Sequence, residues 1–179
     1  MTREEIVESV AEHLFSDEDA NVFAVLDGAS APGLLDKLYG LTPNFCCLFR
    51  GEIEPDMAEV APYLVQLEPG SEFTSWVIGQ GWGSHYGIFV ATGADFRAMR
   101  RHFRRFLIVY DESGRPLRFR YYDPRVLRLY LPTCNSEELA TIFGPVTSFL
   151  LEDNDANTMI CFQSTLGSVK QKNIAIGRA

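Results

Sequence analysis

Three stretches of the 179-residue chain bring chemically capable side chains together. The first is Leu26-Asp27-Gly28-Ala29-Ser30, directly after an apolar run. A serine on a strand-to-helix turn is the setting of a hydrolase nucleophile elbow. Pro32, however, stands where the G-x-S-x-G pattern needs its second glycine, and no G-K-[ST] follows to cradle a phosphate. The competing reading is a tight turn with a helix cap. The second stretch is Gly79-Gln80-Gly81-Trp82-Gly83-Ser84-His85. Ser84 and His85 have the types of a nucleophile and a base, but sequence adjacency does not create catalytic geometry. The spacing also misses G-x-G-x-x-G, and a helix rather than a strand precedes it. The competing reading is a connection in which Trp82 packs and the glycines free the backbone. The third stretch is Arg118-Phe119-Arg120-Tyr121-Tyr122-Asp123-Pro124-Arg125. Alternation along a strand sets Arg118 and Arg120 on one face and Phe119 and Tyr121 on the other. Such guanidiniums capture phosphate or carboxylate. They equally form an internal network of Arg120, Asp123 and Arg125, in which Asp123 caps a helix starting at Pro124.

Metal and cofactor chemistry has less to draw on. His13, His85 and His102 are far apart and show no H-E-x-x-H spacing. Cys46 and Cys47 are adjacent, Cys134 and Cys161 stand alone, and no C-x-x-C occurs, so reduced packing thiols are expected. No carboxylate pair is spaced as an acid/base couple. The expectation is a protein without metal, cofactor or catalytic residues.

The elements that must position these residues follow from periodicity. Helices are predicted over Glu4–Phe15, Leu34–Tyr39, Phe73–Ile78 and Asp95–Phe106, and a capping box of Asn135 with Glu138 opens another that Gly144-Pro145 stops. In the Asp95–Phe106 helix, Phe96, Met99, Phe103 and Leu107 form one apolar stripe. That leaves Arg97, Arg101, Arg104 and Arg105 toward solvent or toward the acidic N-terminal region. Strands are predicted at Val22–Leu26, Phe45–Phe49, Tyr63–Leu67, Ile88–Ala91, Val146–Leu151 and Met159–Phe162, with a hairpin of Leu107–Tyr110 and Leu117–Tyr121. Residues 167–179 are polar and read as a frayed tail. No repeat or linker divides the chain. The fold class is therefore α/β, a single domain over residues 1–179, with a mixed β-sheet and short helices packed on it.

Composition narrows the function classes. Apolar residues make up 46% and charged residues 22%, the balance of a globular protein. No apolar run is long enough to span a membrane. The acidic N-terminus lacks the pattern of a signal peptide, so a cytoplasmic protein is expected. The net charge is −8, but unevenly spread. Residues 1–72 hold three basic and fifteen acidic side chains, whereas residues 97–128 hold ten arginines against Asp111, Glu112 and Asp123. The two blocks either neutralise each other or leave a basic face for an acidic partner. An acidic chain is a poor lure for phosphate at distance, so nucleic acid is disfavoured as a partner. The residues assigned to a partner site are Arg97, Arg101, Arg104, Arg105 and Arg118.

The chain also resembles a known family. Phe23-Ala24-Val25-Leu26-Asp27-Gly28-Ala29, Cys47-Leu48-Phe49-Arg50-Gly51, Ala61-Pro62-Tyr63-Leu64-Val65, Trp82-Gly83, Phe119 to Leu127 and Phe143-Gly144-Pro145 occur in order across residues 22–151. In this they resemble the type VI secretion adaptors, the Tap-like effector chaperones, long catalogued as a domain of unknown function. The resemblance implies a bacterial cytoplasmic adaptor. It would hold a secreted effector toxin and help load it onto the VgrG spike protein, without catalytic residues. It also implies a further C-terminal region, present in many relatives and absent from these residues. The alternatives are a hydrolase using Ser30 or Ser84, or a nucleic-acid-binding module using the arginine block.

Overall fold

The computed structural model describes residues 2–177. Thr2 caps α1 (Arg3–Leu14): its hydroxyl accepts from the Glu5 amide while the Glu5 carboxylate accepts from the Thr2 amide. Then come β1 (Asn21–Asp27), α2 (Leu34–Leu41), β2 (Phe45–Cys47), α3 (Pro55–Glu59) and β3 (Pro62–Leu67). They are followed by α4 (Glu72–Gly81), β4 (Gly87–Thr92) and α5 (Phe96–Phe103), the last capped by the Asp95 carboxylate on the Ala98 amide. A small hairpin, β5 (Ile108–Tyr110) and β6 (Pro116–Arg118), leads to α6 (Pro124–Tyr130) and a 3-10 turn at Leu131–Thr133. The chain closes with α7 (Ser136–Phe143), β7 (Val146–Glu152), β8 (Thr158–Thr165) and β9 (Ser168–Ala175).

Seven strands form one sheet in the order β2-β3-β1-β4-β7-β8-β9, and β5-β6 stands apart. Alternate residues of β1 serve two cores. Phe23 and Val25 meet Met99, Phe103, Leu127, Leu139 and Phe149 on one face. Val22, Ala24 and Leu26 meet Val10, Leu38, Val77 and Ile78 on the other. Helices α5, α6 and α7 thus cover one face and α1, α2 and α4 the other.

The single α/β domain is as the sequence indicates, but every pairing is antiparallel where a mixed sheet was expected. The uninterrupted apolar runs suggest parallel strands; here double burial comes from two helical layers around antiparallel ones. The predicted frayed tail is a second correction. Residues 168–175 are β9, in register with β8 from Thr165↔Ser168 to Thr158↔Ala175. Leu166 and Gly167, both at positive φ, make the tight two-residue turn between them. Residues 178 and 179 of that expectation lie outside the described residues. No described helix is long and apolar enough to cross a membrane.

Two glycines let the strands close where β1 ends. A Cβ on Gly28 would stand 2.5 Å from the Glu59 carbonyl oxygen and 2.7 Å from that of Ala61. One on Gly87 would run into the Val25 carbonyl oxygen. The Asp27-Gly28 pair therefore reflects close backbone approach, and it sets Asp27 at the end of the central strand.

Candidate functional site

The first and third stretches of chemically capable residues meet, although about ninety residues separate them. Asp27 is buried, and its Oδ1 accepts from the Ala29 amide at 3.1 Å while Oδ2 accepts from the Ser30 hydroxyl at 2.9 Å. Arg120 donates through Nη2 to the same Oδ2 and lies 3.9 Å from the Asp123 carboxylate. Asp123 in turn accepts from the Arg125 amide and Nε at 3.0 Å each, and from its Nη2 at 2.8 Å. The amide bond caps α6. Burial acts to raise the Asp123 carboxyl, but the hydrogen bonds and charges of Arg125 and Arg120 outweigh it and hold it below its ordinary value. Asp27–Arg120–Asp123–Arg125 is thus an ion network that locks the β1 turn to the start of α6. Ser30 gives its proton to a carboxylate already held by a guanidinium, and no histidine bonds to it among the described residues. Sequence reading missed Asp27 as a network member, because no local spacing signals a partner so far along the chain.

The second stretch is organised by another residue that sequence reading missed, Glu152 at the end of β7. Its buried carboxylate accepts from the Gly83 and His85 amides and pairs with His85 Nδ1. Burial pushes the Glu152 carboxyl up, against the pull of these donors. Trp82 Nε1 donates to the Ala156 carbonyl at 2.8 Å, and His85 sits at φ 59°. Ser84 is exposed and has no hydrogen bond to His85. The loop is clamped to the β7–β8 turn. Its imidazole–carboxylate pair is a base without a seated nucleophile.

The arginine block divides. Arg97 and Arg101 point outward from α5. Arg104, expected toward solvent or toward the acidic N-terminal region, turns to that region's backbone and not to its carboxylates: Nη2 donates to the Cys47 carbonyl at 2.8 Å and to that of Phe49 at 3.4 Å, and Nε is buried without a partner among the described residues. The helix ends at Phe103, so Arg104 sits on a tightening turn that swings it toward the end of β2. Beside it opens a groove of about 420 Å³. Leu48, Phe49, Leu107 and Ile108 supply its apolar lining, and Arg50, Arg104, Arg105 and Arg118 its charge. Arg118 stacks on the Phe49 ring, its guanidinium carbon 5.0 Å from the centroid. None of these four arginines pairs with a carboxylate among the described residues; the one ion pair between the acidic and basic blocks is Asp27–Arg120. Of the arginines assigned to a partner site, the fold gathers Arg104, Arg105 and Arg118 and leaves Arg97 and Arg101 outside the groove. Arg50 was missed: it lies inside the acidic block, and its place in the Cys47–Gly51 motif was the signal for it.

Along one side of the groove runs the β5–β6 ribbon. Ile108, Val109, Tyr110 and Leu117 stand 38 to 71% exposed on it. The four cysteines are free thiols, and no group of three or more histidine, cysteine or acidic residues among the described residues is placed to hold a metal ion.

Fold and site together define a three-layer α/β domain with two internal polar clamps and one basic, apolar-floored surface groove. Residues 22–141 match the family described as a domain of unknown function, DUF4123, and the chain belongs to that family. No curated protein and no solved structure matches the chain.

Proposed function

We propose that this protein is a non-enzymatic adaptor of type VI secretion: it holds an effector toxin in the bacterial cytoplasm and helps load it onto the VgrG spike protein. The family membership and the ordered motifs over residues 22–151 support the reading. The observation that carries it is the surface beside α5. Four arginines with no carboxylate partner among the described residues lie together with an exposed apolar ribbon, the mixture of apolar contact and arginine that protein interfaces favour. Catalysis has less behind it, since Ser30 is bound to Asp27 and Ser84 has no bond to His85.

The test is co-expression of the tagged chain with VgrG and with a type VI effector toxin from the same cell. The adaptor reading expects both to co-purify, and Ser30→Ala and Ser84→Ala to leave capture unchanged. Failure to retain either partner, or a turnover activity lost in a serine variant, overturns it.

A further inference from the structure

We propose that the groove between the end of β2 and the β5–β6 ribbon is a recognition site for an extended, acidic and apolar peptide segment of the protein partner. The proposal rests on the adaptor reading and names the chemistry of the segment that reading requires.

Every charged residue lining the groove is an arginine, in a chain whose net charge is −8. That excess is local, and it is not consumed by the chain's own carboxylates. Arg104 is anchored by two backbone carbonyls, so its guanidinium is set before any partner arrives, and Arg118 lies over the Phe49 ring. Preset forks lose less freedom on capturing a carboxylate than free side chains do. Leu107 and Ile108 line the same groove and accept apolar side chains but no charge. The β5–β6 ribbon has only two strands, so each leaves one edge unpaired. An extended segment can add to such an edge through its backbone while alternate side chains enter the groove. A segment alternating apolar and acidic residues satisfies the floor, the arginines and the strand edge at once. Nucleic acid satisfies the charge alone.

The experiment uses the full chain and a labelled decapeptide alternating leucine and glutamate, followed by fluorescence anisotropy at low salt. Counterparts carry glutamine or lysine in place of glutamate. The leucine–glutamate peptide is expected to bind at least tenfold tighter than the glutamine one, and the lysine one not at all. Arg105→Glu with Arg118→Glu should weaken it at least tenfold, Ile108→Ser severalfold, and Arg97→Glu, outside the groove, less than twofold. If the double reversal unfolds the chain, Arg105→Gln with Arg118→Gln serves, together with hydrogen exchange, which should show protection confined to residues 48–50 and 104–118. Equal binding of the three peptides, arginine variants without effect, protection elsewhere, or displacement by a single-stranded oligonucleotide at equal charge overturns the proposal. Toxin capture that persists while the groove ignores the peptide leaves the adaptor reading standing and removes the groove. Peptide binding without toxin or spike capture does the reverse.

Discussion

Asp27 and Asp123 share Arg120, yet losing different members of the network has unequal cost. Arg120→Ala strands the Asp27 carboxylate in a buried position with only the Ala29 amide and Ser30 hydroxyl as donors. We expect about 2–4 kcal/mol of lost stability in denaturant unfolding, because an uncompensated buried charge is worse than a missing pair. Asp123→Ala removes a helix cap and a partly exposed ion pair, and about 1–3 kcal/mol is expected. The Asp123 carboxyl is held below its ordinary value in the fold. Its contribution is therefore complete at neutral pH, above the unfolded value near 4, and is lost as pH falls through the lowered folded value. Unfolding measured from pH 7 to pH 2 should show a shallower acid limb in Asp123→Ala than in the parent chain. Asp123 with Arg125 was legible because a cap and its partner are sequence neighbours. Asp27 and Glu152 were not, because their partners are brought by strand pairing, which leaves no local spacing to read.

Among the elements, α5 and α7 meet through one ring. His102 is buried, its Nε2 donates to the Ile142 carbonyl at 2.9 Å, and a Cβ on Gly144 would stand 2.7 Å from the imidazole Cε1. Gly144 is also at φ 47°. Gly144→Ala must both strain the backbone and push the ring, so a loss of about 2–4 kcal/mol is expected, seen as a lowered Tm. Burial, with the Arg105 charge added, lowers the His102 value against the pull of the Ile142 bond. The neutral ring favours the fold fully above the unfolded value near 6.5, and stability falls as pH drops from there toward the lowered folded value. The arginines of α5 split in the same manner. Arg104→Glu sets a carboxylate against the Cys47 and Phe49 carbonyls and should cost about 1–3 kcal/mol, whereas Arg101→Glu should stay within about 0.5 kcal/mol. The α5 stripe and its Asp95 cap were readable from helical spacing. The turn of Arg104 was not, because it depends on where the helix stops relative to β2. Nor was α3, whose five residues carry no apolar period.

For the whole molecule, the family match ends at residue 141 but the sheet does not. β7 lies between β4 and β8, and Phe149, Leu150, Leu151 and Phe162 fill both cores. A chain cut after residue 141 is expected to lack a cooperative thermal transition and to bind a hydrophobic dye, while the full chain shows one sharp transition. The layered α/β class was legible from alternating helix and strand signals, because each element's period survives in its own residues. Sheet direction was not, since an antiparallel strand buried on both faces has the same unbroken apolar pattern as a parallel one. β9 escaped notice because an outermost strand meets water on one edge and carries polar residues such as Lys170 and Lys172, which discourage further pairing. The strand order also has a consequence in time. β1 waits for β3 and β4, and β4 waits for β7, some sixty residues later. Contacts so distant along the chain close slowly, on the order of milliseconds to seconds. During synthesis the apolar runs of β1, β3 and β4 therefore leave the ribosome before β7 and β8 exist to complete their sheet, and over that interval the nascent chain is expected to expose them to water.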